Sequence, residues 1–397
     1  LDCHQHPAPH MKHPDTHDWI KRLVRHDTTS RNSNLDLIQC IADYLDRLGL
    51  RPELTYNDER TKANLFATIG DAGAPGIVLS GHTDVVPVDG QDWHSDPWQV
   101  AARDGKIFGR GVCDMKSFVA VCLAQAPDMA ARKLKQPLHF AFSYDEEIGC
   151  VGVRGLIAEL AAREVKPAGC IVGEPTSMRT VSGHKGKLSQ RCRVRGLACH
   201  SGTPHLGANA VEAAAEGVAF LKRMARRLRD QGPRHAGYEP PHTTVHTGVI
   251  SGGVTLNIVP EECFFDFEFR YVPGAGAQDL FAELRAFMEG EVLPEMRAVH
   301  PGCAVTFERL SQFPGLHTDD GHAIARLSMQ LGGGGDAGPG KVSFGTEAGL
   351  FSEIGIPSVV CGPGSINQAH KPDEFITLEQ IAQCEKFIAG VTDSATR

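Results

Sequence analysis

The chain has 397 residues, 41% hydrophobic and 22% charged, ordinary for a globular protein and too long for one compact core. Its net charge of −8 leaves no basic surplus to meet phosphates, which argues against a nucleic-acid partner. No apolar run approaches the roughly 20 residues of a membrane-spanning helix. The 12 cysteines are dispersed without a C-x-x-C pair, and Cys122, Cys170 and Cys361 sit inside apolar runs. With no signal-peptide pattern, this predicts a cytoplasmic protein with reduced thiols.

Residues 1–10 place His4, His6 and His10 among prolines. They read as a disordered leader or an expression remnant ahead of a native start at Met11, with an accessory metal tract as the alternative. Beyond them, Ile38, Ile41, Leu45 and Leu48 share one face of an amphipathic helix that Gly49 ends. Residues 64–69 alternate like a strand. Residues 76–80 form a continuous apolar run of the buried-strand kind, and similar runs recur at 138–143, 169–172 and 357–361. Helical patterns lie between them at 115–126, stopped by Pro127, and at 153–163. Strands alternating with helices predict an α/β sheet with helices on both faces.

From about Lys185 the texture changes. Alternating strands at 188–194, 243–250, 262–271 and 303–310 enclose helices at 208–228, capped by Asn209, and at 278–291. That β-α-β-β-α-β order predicts a small α+β sandwich whose sheet has one free face. The α/β pattern resumes at Gly315, so residues 185–311 read as a domain inserted between 11–184 and 312–397. Within the last part, Gly335-Asp-Ala-Gly-Pro-Gly-Lys341 fits the G-x-x-x-x-G-K start of a phosphate loop. Val342 stands where a hydroxyl is needed, Pro339 removes an N–H and no strand leads in, so the segment reads as a flexible connection.

The chemistry concentrates at five stations: His82-Thr83-Asp84, Asp114, Glu146-Glu147, Glu174 and His370. The first four are spaced by 32, 33 and 27 residues, about one strand-plus-helix unit. Each falls at a strand end or a helix start, where open α/β sheets bind ligands. In an H-x-D pair the imidazole can hold a metal while the carboxylate accepts its other N–H. Asp114 equally suits a plain helix N-cap, and Tyr144-Asp-Glu-Glu an exposed acidic turn. Carboxylates so close repel one another unless a cation relieves them. Two imidazoles with these carboxylates make a donor set suited to zinc or its neighbours, sufficient for two ions that share Asp114.

From about Trp19 onward the chain resembles the M20 family of di-metal amidohydrolases and peptidases, and within it the acetylornithine deacetylase branch. The blocks that carry this are Ser80-Gly-His-Thr-Asp-Val-Val-Pro, GRGVCDMK at 109–116, Asp145-Glu-Glu-Ile-Gly, Gly173-Glu-Pro-Thr, Phe344-Gly-Thr-Glu-Ala and GPGSINQAHKPDEF at 362–375. The resemblance implies a zinc-peptidase-like α/β catalytic domain with a mixed sheet and an inserted lid and dimerisation domain. It implies one divalent ion on His82, Asp114 and Glu174 and a second on Asp114, Glu147 and His370, with zinc expected and cobalt the alternative. Glu146 would be the general base, Asp84 the orienting carboxylate, and the Asp114–Met115 peptide cis.

In a homodimer built through the lid, the resemblance implies that His200 reaches the other subunit's active site. Asn257, Arg270, Glu347 and Gly364 would meet a small N-acyl amino acid. Glu268 and Tyr271 depart from the aspartate and proline usual around this arginine, which leaves open a structural pairing of Arg270 with an acid. The implied reaction is hydrolysis of N2-acetyl-L-ornithine to L-ornithine and acetate. The same chemistry on a dipeptide or another N-acyl amino acid, such as a succinyl-diaminopimelate, is one alternative. A non-catalytic metal-binding protein on this fold is another.

Overall fold

The computed structural model describes residues 13–332 and 338–397. The leader at 1–10 and residues 335–337 of the glycine-rich segment lie outside the described residues. A nine-stranded mixed sheet organises most of the chain. Its order runs Glu53–Tyr56, Ala63–Ile69, Leu138–Ser143, Ile77–His82, Gly169–Pro175, Ser358–Gly362, Val181–His184 and Leu316–His317, with Gly340–Val342 also paired to Val181–His184. The central strands pair in parallel: Ile77–His82 with both Leu138–Ser143 and Gly169–Pro175, and the latter with Ser358–Gly362. Every residue of these four strands is buried, as a sheet covered on both faces requires. One face packs Leu79, Phe140 and Ile171 against Trp19, Ile41, Phe118 and Phe387 of helices Thr16–Val24, Leu35–Arg47, Lys116–Ala131 and Leu378–Thr396. The other packs Val78, Val172 and Val360 against Leu156 and Phe351 of helices Val153–Ala162 and Ala348–Glu353.

Two expectations need correction here. Helix Lys116–Ala131 runs through Pro127 instead of stopping at it. Proline removes the N–H that would reach the Leu123 carbonyl, and the Tyr44 hydroxyl donates to that carbonyl instead, at 3.4 Å. The segment read as a flexible connection contains a strand: Gly340–Val342 lies parallel to Val181–His184. Lys341 is spent there, its Nζ donating to Ser182 Oγ at 2.6 Å and pairing with Asp320.

The chain leaves the large sheet through Lys185 and returns to it through Pro314 and Gly315. Between those points lies a four-stranded antiparallel sheet in the order Thr244–Gly252, Glu262–Tyr271, Gly186–Arg195, Ala304–Phe313. Phe265, Phe267 and Phe269 point from one face into a core with Leu221 of helix Ala210–Gln231 and Leu284 of helix Ala277–Phe287. The Asn209 side chain caps the first helix by accepting from the N–H groups of Val211 and Glu212. The second continues beyond the expected end, through a wider turn at Met288–Val292 into Leu293–Val299, where Pro294 sits in the first turn that tolerates it. Among the described residues no helix covers the sheet's other face, which carries ion pairs such as Arg191 Nε with Asp266 Oδ1, 2.6 Å apart.

A third, small sheet has no counterpart in the sequence reading. Phe375–Thr377 pairs with Lys106–Phe108, which pairs with Ala101–Arg103. It brings the loop carrying His370 against the loop carrying Asp114. Among the described residues no helix is long and apolar enough to cross a membrane, and every cysteine is free.

Candidate metal centre

The parallel strands present their carboxyl ends on one edge, and there the predicted stations meet. His82 ends strand Ile77–His82, Glu146 and Glu147 follow strand Leu138–Ser143, and Glu174 lies near the end of Gly169–Pro175. Gly173 lets that last strand approach helix Lys116–Ala131, since a Cβ there would fall 2.0 Å from the Phe118 ring. Asp114 precedes the helix in a turn whose Asp114–Met115 peptide is cis, as the resemblance implied. His370 comes from the Gly-rich loop after Ser358–Gly362, with φ +64° and a half-exposed ring.

The two rings divide the acids. His82 Nε2 lies 3.0 Å from Asp114 Oδ1 and 3.5 Å from Glu174 Oε1. His370 Nε2 lies 3.0 Å from Glu147 Oε2 and 3.4 Å from Asp114 Oδ2. Asp114 therefore turns one oxygen to each histidine. Ligand atoms of His82, Asp114 and Glu147 lie within 4.8 Å of one another, as do those of His82, Glu146 and Glu174. Glu146 thus stands in the same group as the ligand candidates.

Asp84 acts differently from the expectation. The carboxylate lies 3.5 Å from His82 Nδ1, while the Asp84 backbone carbonyl lies at 2.9 Å and takes that N–H. The ring still presents Nε2 to the acids, which is the tautomer a metal ligand needs. The carboxylate is occupied elsewhere: it accepts from the backbone N–H groups of Glu146 and Glu147 and from Ser30 Oγ at 2.7 Å. It orients the acidic turn as much as the imidazole.

The electrostatics are those of a crowded, buried acid cluster. Burial, together with repulsion from Asp114 and its neighbours, pushes Glu146, Glu147 and Glu174 well above the usual carboxylate range, against the pull of His82. Burial opposes ionisation of Asp114 too, but contacts with His370 and His82 hold it low. Burial would keep His82 neutral, yet its hydrogen bonds to Asp114 and Asp84 outweigh it and raise its pKa; bonds to Asp114 and Glu147 raise that of His370. A divalent cation would relieve this crowding by supplying positive charge and displacing protons from the cluster. Glu147 Oε1 is buried with no hydrogen-bond partner among the described residues, a costly state that a cation would relieve. The nitrogen and oxygen donor set fits zinc or a related ion.

Several supporting residues escaped the sequence reading. Ser30 holds Asp84, and the Cys150 thiol donates to Glu146 Oε1 at 3.2 Å. Lys62 Nζ pairs with Asp145 at 2.5 Å, bracing the turn before Glu146. The buried Glu374 accepts from the Asp114 N–H at 3.0 Å. None carries a spacing signal, although Glu374 lies in the same H-K-P-D-E run as His370.

The expected substrate contacts fare unevenly. His200 and Asn257 are neighbours, joined by a Ser201 N–H to Asn257 carbonyl bond of 3.1 Å, but both are exposed. Among the described residues no hydrogen bond or ion pair links them to the acid cluster. Arg270 Nε donates to Glu268 Oε1 at 3.0 Å, the structural pairing left open above. Glu347 cannot meet a substrate ammonium here: it is fully buried, with Ser80 and Ser143 donating to its two oxygens at 2.6 and 2.7 Å. Gly364 has no free polar group either, its N–H going to Gln380 and its carbonyl to Ser177. Its φ of +84° and the Cys113 sulfur, 2.6 Å from where a Cβ would sit, give it a packing role beside Asp114.

Comparison with known proteins identifies the lineage. Residues 78–394 match the model of Peptidase family M20/M25/M40. An acetylornithine deacetylase of Proteus mirabilis is 35% identical over 370 residues, covering 93% of this chain and 92% of the relative. One of Photorhabdus laumondii is 33% identical over 368 residues, covering 92% of each. The M20 family metallo-carboxypeptidase of Sulfolobus solfataricus shares the fold at 16% identity, with a TM-score of 0.75 over 96% of this chain and 99% of that one. With its mixed main sheet, its separate antiparallel sheets and its strand-end cluster of acids and histidines, the chain belongs to peptidase family M20/M25/M40.

Proposed function

We propose that the chain hydrolyses the acetamide of N2-acetyl-L-ornithine to L-ornithine and acetate. The observation that carries this is likeness to acetylornithine deacetylases over nine-tenths of each chain, joined to a buried hydrolytic donor set. In this reading His82, Asp114 and Glu174 hold one divalent ion and Asp114, Glu147 and His370 the other, zinc with cobalt as the alternative. The division of acids between the two rings supports it. The bound ions supply Lewis acidity, which polarises the acyl carbonyl and lets water ionise near neutral pH.

The remaining work falls to side chains. Glu146, steered by Cys150 and by the Asp84 bond to its N–H, accepts the water's proton and returns it to the departing amine. Glu268 engages only Nε of Arg270, which leaves both Nη atoms for the substrate's α-carboxylate. His200 donates to the tetrahedral oxyanion from a second copy of the chain, the four-stranded unit serving as lid and dimer contact. Val254 and Leu256, 87% and 98% exposed beside Asn257, support such a contact. Free cysteines throughout the described residues support a cytoplasmic setting.

The test compares kcat/KM for N2-acetyl-L-ornithine, N-succinyl-diaminopimelate and several N-acetyl amino acids on metal-loaded enzyme. Acetylornithine should rank first, and a strong preference for another amide overturns the substrate. Glu146→Ala should lower kcat by about 10²–10⁴-fold with metal content unchanged. Parallel loss of metal and turnover would remove Glu146 from the role of base.

A further inference from the structure

The two histidine ligands are held in different ways. His82 and Glu174 are rooted in central strands of the main sheet. Asp114 and His370 come from loops distant in sequence, and neither lies in a regular element. What keeps the loops together is a buried polar hub. Glu374 is 1% exposed, and its Oε1 accepts from the N–H groups of Cys113 at 2.7 Å and Asp114 at 3.0 Å. Its Oε2 accepts from the Gly111 N–H at 3.0 Å and from Arg110 Nη1 at 2.7 Å. Arg110, equally buried, sends Nη2 to Gln91 Oε1 at 2.6 Å, and Gln91 Nε2 donates to the His370 carbonyl at 3.1 Å. A closed path therefore runs from the Asp114 backbone through Glu374, Arg110 and Gln91 to the His370 backbone.

We propose that Glu374, with Arg110 and Gln91, is a positioning residue that sets the cation affinity of the place shared by Asp114, Glu147 and His370. This rests on the two-ion reading above. A carboxylate with four donors, two on each oxygen, cannot be replaced isosterically. In Glu374→Gln the carboxamide NH₂ must face either the Cys113 and Asp114 N–H groups or the Gly111 N–H and Arg110. Donor then meets donor in a buried site, so the Asp114 turn must shift. Among the described residues the strand-held pair, His82 and Glu174, has no bond to Glu374, Arg110 or Gln91 and meets the hub only through Asp114, 3.0 Å from His82 Nε2. Gln91 acts at the far end: its Nε2 holds the His370 carbonyl, while its Oε1 accepts from Arg110 and from Trp93 Nε1.

The experiment titrates metal-free enzyme with Co²⁺ and, separately, Zn²⁺, by calorimetry and cobalt absorption. His370→Ala and Glu174→Ala mark which binding step belongs to which position. Glu374→Gln should weaken the step lost in His370→Ala by about 10–100-fold and the other by less, because the other shares only Asp114 with the hub and keeps the strand-held His82 and Glu174. Glu374→Asp should recover part of that loss. Gln91→Ala, at a half-buried site that leaves the core intact, should weaken the same step by a smaller factor, and it carries the test alone if Glu374→Gln does not fold. Unchanged affinities, or equal weakening of both steps, overturn the assignment. A wild-type chain that takes up no cation sinks the two-ion reading as well, whereas two intact steps in every variant sink only this one.

Discussion

The main sheet and the four-stranded sheet bury their polar chemistry to opposite degrees. Around the strand ends of the main sheet, His82, Asp84, Asp114 and Glu174 are all buried; neighbours in the same chain bond the first three, and Glu174 lies 3.5 Å from His82. On the four-stranded unit His200 and Asn257 are exposed, beside the apolar side chains of Val254 and Leu256 that nothing among the described residues covers. The first region is a site assembled on folding, whose crowded charges need only a cation. The second is a surface whose chemistry needs something brought to it. Preorganised ligands belong on rigid elements, while groups that close over a substrate must be free to move.

The contrast is broken most directly by removing metal. Exhaustive chelation should abolish turnover, and adding Zn²⁺ or Co²⁺ should restore it. Chelation should also lower the midpoint of thermal unfolding, because the cluster loses the charge that holds its acids together. Activity assays and a melting curve on the same samples check both. Full activity in a sample shown by elemental analysis to be metal-free would remove the cluster from the chemistry.

His200 tests the other side. His200→Ala should lower kcat by about 10²–10³-fold, the scale of one oxyanion donor. Metal content should stay at wild type, and stability within about 0.5 kcal/mol, as for an exposed residue. Mixing His200→Ala with Glu146→Ala subunits should restore part of the activity, because a hybrid dimer pairs an intact base with an intact histidine from the other chain. No recovery in mixed dimers, with subunit exchange demonstrated, would place His200 in its own subunit's site or outside the chemistry.

The two regions also differ in what the sequence reveals. Strand-end stations are legible because local chemistry marks them: an apolar run stops and a polar ligand type follows. The β-α-β-β-α-β order of the inserted stretch is legible for the same reason. Pro127 misled because the group that satisfies Leu123 is a tyrosine on another helix. Resemblance alone places Glu347 at the substrate, and only its bonds from Ser80 and Ser143 explain its burial. Glu374 and Arg110 form their network with the Asp114 turn and Gln91 across the folded core, so no window of sequence contains both halves. Residues that touch a ligand announce their type; residues that hold them in place do not.

Acid should loosen the main sheet by a smaller but measurable amount. His139 stacks on Phe66 and meets Thr68 Oγ1 at 2.9 Å; burial, with the nearby Arg163 charge, lowers its pKa to about 4. His184, between the Lys185 carbonyl and the Thr346 N–H, is also lowered to about 4 by burial. An unfolded histidine titrates near 6.5, so between about pH 6.5 and 4 each of these two rings binds more proton in the unfolded chain than in the folded one. Each histidine's share of stability is present above that window and falls as pH drops through it, by roughly 2 kcal/mol at pH 5. All three tryptophans, Trp19, Trp93 and Trp98, precede the inserted stretch, so their fluorescence in urea follows the main-sheet part. His139→Gln should be less stable at pH 7 yet lose less between pH 7 and pH 5, the difference approaching His139's own share. Equal losses in variant and wild type would mean that His139 takes up its proton without unfolding, and the main sheet would then be no better sealed against water than the four-stranded unit.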